Sequence, residues 1–282
     1  MKKKRKIVAL VYDFDGTLAP GNMQEYSFIK AVGNETEEFW AEANDIAASN
    51  DCDNVLAYMF LMLAKARGKN FPINKSSLMK YGNDIKFFKG VSSWFERINA
   101  FGKSEDVDVE HYINSSGMKE IIEGTEISDR FKAIFASSYI YDEKGNAMWP
   151  AAAVNYTNKT QFLFKINKGI FSISDSVKIN ESVPEERKRV AFNNMIYFGD
   201  GETDVPCMKL VKQLGGTSIG VFDPENETKR EIARKLFRQE RVNFISPADY
   251  SDGSPLEKLI MALIRKMKAD MDLADIRKNI RY

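Results

Sequence analysis

The chain has 282 residues, 44% of them hydrophobic, which is enough for a full-sized core and excludes an intrinsically disordered protein. Its 41 Lys and Arg stand against 40 Asp and Glu, so no global charge draws it toward nucleic acid or an anionic membrane surface. The two cysteines, Cys52 and Cys207, fall in no metal or redox pattern and fit a reducing compartment.

In chain order, the basic leader Lys2–Lys6 reads as a solvated segment before the first strand rather than as a nuclear-type or phosphate-binding patch. The apolar run after it, Ile7–Val11, is too short for an export signal. "IVALVYDF" is β-branched and almost continuously apolar, as a central parallel strand covered on both faces requires. From Gly21 to about Lys89 apolar residues recur at helical spacing, and the Met and aromatic stripe there reads as core. Its longest apolar stretch, Val55–Ala64, is about half a membrane span and predicts a buried helix. The expectation is a soluble, cytoplasmic protein with neither nucleic acid nor membrane as partner, its oligomeric state open.

Beyond Gly90, "VSSWFERINAFG" predicts an amphipathic helix capped by Gly102, "VDVEHYIN" a short strand and "GMKEIIEG" a helix. "FKAIFASSYIYDEKGNAMWPAAAV" predicts a hairpin turning at Asp142–Gly145, followed by a helix over about Asn158–Lys168 that stops at Gly169. Ser174–Arg189 is polar and reads as a mobile loop. "MIYFGDG" is a second buried strand, with a helix from about Thr203; "TSIGVF" and "VNFIS" are strands, and "ETKREIARKLF" and "SPLEKLIMALIRKM" are helices. Such alternation predicts an α/β fold with a doubly wound parallel sheet. The domain expectation is an α/β core from residues 1–18 and 89–282, interrupted by a helical insertion over 19–88.

Two strand ends carry the chemistry. Asp13 and Asp15 close the first, separated only by Phe14. At ~4 Å and an effective dielectric of ~20, two such charges repel by about 4 kcal/mol, so the pair needs solvent or a positive partner. A calcium loop starting at Asp13 would need glycine where Leu18 stands. Asp200 closes the later strand in "GDGETD", with Asp204 following. Both acid pairs fall at carboxyl ends of strands, where α/β sheets bind ligands. "GDGETD" imitates the start of a dinucleotide fingerprint, but Asp204 puts a carboxylate where pyrophosphate would sit, and no P-loop is present.

"DFDGTL" and "GDGETD", with a serine-bearing strand end and a lysine between them, resemble the haloacid dehalogenase-like (HAD) hydrolase superfamily, in its phosphoserine-phosphatase-like branch. The resemblance covers about Ile7 to Leu263 and implies a Rossmann-like core. For its second motif Ser115 in "HYINSSGMKE" fits best, because Gly117 and a helix follow; Ser116 is its rival, and Ser137 or Ser138 lies one strand later. For its third, Lys159 lies in the first turn of "NKTQFLFKINKG", where a cation opposes the helix dipole. Lys165 and Lys168 lie toward the other end, where lysine is electrostatically welcome.

A bound phosphate dianion beside ionised Asp13, Asp200 and Asp204 would leave a large negative excess that Lys159 offsets by only one charge, so a divalent cation is required; Mg²⁺ suits carboxylates, phosphate and water. One histidine, His111, and no Cys cluster speak against zinc. The resemblance implies that Asp13 attacks the phosphorus of a small phosphorylated metabolite while Asp15, kept protonated by acidic neighbours, serves as acid and then base. It further implies that Asp13, the Asp15 carbonyl and Asp200 hold Mg²⁺, with Asp204 as further ligand or support. Ser115, Lys159 and main-chain N–H groups near Gly16 and Gly117 would bind phosphoryl oxygens. The alternatives are a phosphomutase of the same superfamily or a non-catalytic binding protein on its scaffold. The insertion resembles the family's helical cap, but Gly16 and Asn22 stand where phosphoserine phosphatases carry Ser and Glu, with Glu25 further on. Those departures weaken serine phosphate as the substrate.

Overall fold

Ile7–Tyr12 forms β1, the centre of the sheet, and its alternate side chains feed both layers of the core. Val8, Leu10 and Tyr12 join one buried cluster, and Ala9 and Val11 join the other, which is why the run carries no polar alternation. The structure, a computed structural model, describes residues 6–69, 71 and 73–280. Of the basic leader, Lys2–Arg5 lies outside the described residues.

Short helices α1 (Met23–Tyr26) and α2 (Phe28–Ala31) follow, then α3 (Thr36–Asn50), α4 (Asn54–Gly68) and α5 (Lys75–Tyr81). Their apolar faces, among them Phe28, Phe39, Met59 and Leu78, belong to the same cluster as Leu10 and Tyr12. This helical segment leaves and rejoins the rest of the chain at adjacent points, where the Phe88 N–H donates to the Leu18 carbonyl at 2.9 Å.

Helix α6 (Val91–Ser104) precedes β2 (Asp108–Met118), α7 (Lys119–Glu123), β3 (Ala133–Tyr141) and β4 (Ala147–Ala152). Helices α8 (Lys159–Lys168) and α9 (Ser176–Asn180) lead to β5 (Met195–Gly199) and α10 (Val205–Gln213). β6 (Thr217–Phe222), α11 (Glu227–Arg238), β7 (Phe244–Pro247) and α12 (Pro255–Asn279) complete the chain. Among the described residues the strands form one sheet in the order β4-β3-β2-β1-β5-β6-β7, parallel except for the β3–β4 hairpin. Trp94, Phe95 and Ile98 of α6 with Leu256 and Ile260 of α12 cover one face; Phe162 and Leu163 of α8 with Met208 and Val211 of α10 cover the other. The doubly wound α/β expectation holds, with one antiparallel edge strand.

Four local expectations are corrected. Gly102 lies inside α6 rather than capping it: a Cβ there would strike the Val109 side chain, so the glycine serves close helix–strand packing. β2 runs on through Ser115, Ser116 and Gly117, so the following helix begins at Lys119 and not at the glycine. Ser174–Arg189 contains α9 and a turn over Glu185–Arg187. Lys165 Nζ donates to the carbonyls of Ser172 (2.8 Å) and Ile173 (3.2 Å), and Lys168 Nζ to those of Ile179 (2.6 Å) and Glu181 (2.7 Å). Helix α12 also runs far past the predicted segment, to Asn279. No helix among the described residues is long and apolar enough to cross a membrane.

Candidate active site

The strand order reverses direction between β1 and β5, and the two diverging chain ends open the crevice where α/β sheets place ligands. The Asp13 N–H still donates to the Phe198 carbonyl at 2.9 Å, so the β1–β5 ladder carries Asp13 right to the rim. The chain then turns sharply, with the Gly16 N–H donating to the Ala19 carbonyl at 2.7 Å and the Leu18 N–H to the Phe14 carbonyl at 2.8 Å. Gly16 has φ +72°, and a Cβ there would overlap the Asp200 carboxylate. Glycine is thus required twice over, by the turn and by the approach of the two acidic loops.

Carboxylate oxygens of Asp13, Asp200 and Asp204 lie within 4.8 Å of one another, all three residues buried. Lys159, fully buried in the first turn of α8, places Nζ 3.0 Å from Asp13 Oδ1 and 2.7 Å from Asp204 Oδ1. Burial opposes a charged lysine, but these two carboxylates outweigh it and hold the ammonium protonated well above its usual range. Asp204 has further partners: Oδ1 accepts from Tyr197 OH at 2.7 Å, and Oδ2 accepts the Asp200 N–H at 3.3 Å. It therefore orients Lys159 and the Asp200 turn from beneath. Burial first, then the Asp204 charge, raise the Asp13 pKa to about 7, with Lys159 pulling the other way.

Asp15 turns toward the helical segment, its Oδ1 accepting the Met23 N–H at 2.9 Å. Burial raises its pKa well above the usual carboxylate range, with the Asp13 charge second. Desolvation is thus the larger cause and the acidic neighbours the smaller, both favouring the protonated form of Asp15.

Lys229, not singled out from the sequence, donates to Asp200 Oδ2 at 2.7 Å. It lies in the first turn of α11, after the Asn226 cap. The dipole argument that selected Lys159 applies to it equally.

Ser115 is fully buried, and its Oγ accepts the Gly117 N–H at 3.0 Å. It lines a cavity of about 630 Å³ together with Asp13, Asp15, Gly117, Asp200 and Lys229. The expected main-chain donors at Gly16 and Gly117 are both already bonded within the protein, to Ala19 and to Ser115. Ser116 also reaches the cavity, with its Oγ unpartnered. Ser137 donates to the Ser116 carbonyl at 3.1 Å and accepts the Val154 N–H at 3.0 Å, so it braces the hairpin; neither it nor Ser138 lines the cavity. Lys165 and Lys168 are occupied with the α9 segment, as described above.

The remaining walls come from the helical segment and the turn before α8. Trp40, Tyr58 and Tyr156 line them, with Glu25 and Gln24. Tyr156 holds φ +30°, a strained backbone that costs about 1–3 kcal/mol and keeps its ring at the cavity. None of these was legible beforehand, because an aromatic at helical spacing looks the same whether it meets core or cavity.

A hard, oxygen-seeking divalent cation fits this donor set. Asp13 and Asp200 offer carboxylate oxygens at the cavity, their pKa values are raised by burial, and lysines offset their charge. His111, the lone histidine, is buried beside Tyr12 and held neutral, away from this cluster.

A family model described as haloacid dehalogenase-like hydrolase matches residues 10–209. A protein of Borreliella burgdorferi described only as uncharacterized is 28% identical over 291 aligned positions, covering 94% of this chain and 99% of that one. Among solved structures, a HAD-family hydrolase from Salmonella enterica serovar Typhi superposes with a TM-score of 0.57 at 16% identity, over 90% of this chain and 71% of that one. A phosphoserine phosphatase captured as a phospho-aspartyl intermediate analogue superposes with a TM-score of 0.52 at 14% identity, over 91% and 99% of the two chains. At those identities the likeness is one of fold.

Proposed function

We propose that this chain, which belongs to the haloacid dehalogenase-like hydrolase family, is a phosphatase that cleaves a small phosphomonoester through an aspartyl-phosphate at Asp13. The observation that carries the reading is the contrast between two adjacent acids. Asp13 touches a buried lysine and faces Asp200, whereas Asp15 turns to the Met23 N–H, touches no cation among the described residues and is pushed toward its protonated form by burial. One is suited to attack and the other to give a proton.

An Asp13 oxygen attacks phosphorus, forming the acyl phosphate as the ester P–O bond breaks. Asp15 gives its proton to the departing alkoxide. The resulting Asp15 carboxylate then takes a proton from water, whose oxygen attacks phosphorus and returns Asp13 as a carboxylate. Lys159 balances the charge gathering on the phosphoryl oxygens, and the Ser115 hydroxyl donates to one of them. Asp13, the Asp15 carbonyl and Asp200 would hold Mg²⁺, with Asp204 supporting them; the ion would neutralise charge on the transferring group.

Helices α1–α5 act as the cap, closing over the cavity and choosing the alcohol, since they supply Trp40 and Tyr58 to its wall and hinge at adjacent chain ends near Leu18 and Phe88. The work is expected to take place in the cytoplasm. A panel of phosphomonoesters assayed with Mg²⁺ and with chelator, on wild type and Asp13→Asn, tests the reading. Phosphate release should need both the metal and Asp13; release that persists at the wild-type rate in Asp13→Asn would contradict it.

A further inference from the structure

The cavity has a second half that phosphoryl transfer does not use. Trp40 of α3 and Tyr58 of α4 line it with ring centroids 5.9 Å apart and planes inclined at 74°, so they form two walls of a corner; Tyr156 lines it as well. Glu25 Oε1 accepts the Trp40 indole N–H at 2.8 Å, which fixes the ring and sets a carboxylate in the same wall. Gln24 and Ser116 also belong to the wall, with Gln24 Oε1 and Ser116 Oγ buried behind its surface. Among the described residues Lys229 is the sole cation in the lining, and it is committed to Asp200.

We propose that this cavity selects phosphomonoesters of amino alcohols, the ammonium group lodging against Trp40, Tyr58 and Tyr156 beside Glu25; the inference rests on the phosphatase reading above. An ammonium is attracted to aromatic faces and to the nearby carboxylate, and ring corners are the usual way to hold one. A second anionic group on the alcohol would instead meet Glu25 with no free cation to receive it, a repulsive element against such substrates. A purely apolar alcohol would offer the rings and Glu25 no positive charge to attract.

The test is a comparison of kcat/KM, with Mg²⁺, for choline phosphate and ethanolamine phosphate. The controls are the uncharged isostere 3,3-dimethylbutyl phosphate, glycerol 1-phosphate and the anionic 3-phosphoglycerate. The cationic esters should lead the uncharged ones by at least about tenfold, with 3-phosphoglycerate last. A lead for choline phosphate over ethanolamine phosphate assigns the recognition chiefly to the rings, and the reverse order assigns it chiefly to the Glu25 carboxylate; either supports the inference. In Trp40→Leu and Glu25→Gln the cationic-to-uncharged ratio should shrink, and a ratio taken within one preparation is insensitive to how much of it is folded. Uncharged or anionic esters cleaved as well as the cationic ones would overturn the inference and leave the phosphatase reading standing. Cleavage of none of the esters would overturn the reading on which it rests.

Discussion

At Tyr12 the interior holds a polar cluster in which partners match. The Trp94 indole donates to Tyr12 OH at 2.9 Å, Tyr12 OH meets His111 Nδ1 at 3.0 Å, and His111 Nε2 meets Asn99 Oδ1 at 3.1 Å. All four groups are neutral, burial holding the His111 pKa down to about 3. One residue further along the chain, just past β1, Asp13 crowds together with Asp200 and Asp204 around shared lysines, the pKa values of Asp13 and Asp200 raised, and two buried oxygens of the cavity wall, on Gln24 and Ser116, have no partner. The first cluster is complete without anything added. The second is balanced only when a cation and a ligand arrive, and that difference separates a structural polar core from a working one.

The largest contrast lies in what substitution does at each place. Asp13→Asn should lower kcat/KM by at least about 10⁴-fold, as loss of a nucleophile does, while chelator-treated protein becomes no less stable because a crowded buried charge is gone. Steady-state assays and urea midpoints check the two halves; unchanged catalysis would erase the distinction between the clusters. Lys159→Met should reduce kcat by about 10²–10³-fold. It should also destabilise the fold by about 3–5 kcal/mol, since Asp204 would be left buried and unpaired. Lys165→Met should lose stability but keep catalysis, because its ammonium serves only loop carbonyls. A catalytic loss at Lys165 instead would move the essential cation to that residue.

Tyr12→Phe probes the complete cluster. It strands the Trp94 N–H and the His111 acceptor, so stability should fall by about 1–3 kcal/mol with kcat at the wild-type value. The finest test is pH. His111 has a folded pKa below its unfolded one, so its contribution is lost as pH falls below about 6.5. Asp13 is raised to about 7, so its contribution is full below the unfolded value and is lost as pH rises through 7. In chelator-treated protein, Asp13→Asn should therefore gain on wild type as pH rises from about 4 to 7, by at most about 1.4 kcal/mol per pH unit. A stability difference independent of pH would mean that Asp13 is not held in its acid form.

How much of this was legible before folding follows from the kind of signal each residue carries. Asp13, Asp15, Asp200 and Asp204 stood out because acids end apolar runs there, a pattern that strand geometry alone reads. Lys159 stood out because it opposes a helix dipole. Lys229 sent the same signal and passed unremarked in a helix crowded with other charges. Ser115 was placed correctly beside the cavity although β2 extends past it, and the N–H groups of Gly16 and Gly117 proved to be spent within the protein. Trp40, Tyr58 and Tyr156 were illegible as a group, because their meeting depends on how α3, α4 and the turn before α8 pack against one another.

The most direct measurement is to mix enzyme with a cleaved phosphomonoester, quench in acid within a turnover and reduce with borohydride, which converts an aspartyl-phosphate to homoserine. Peptide mapping should find homoserine at position 13, with more of it in Asp15→Asn, where breakdown of the intermediate lacks its base. Homoserine at another aspartate, or none in an enzyme that is turning over, would contradict the account.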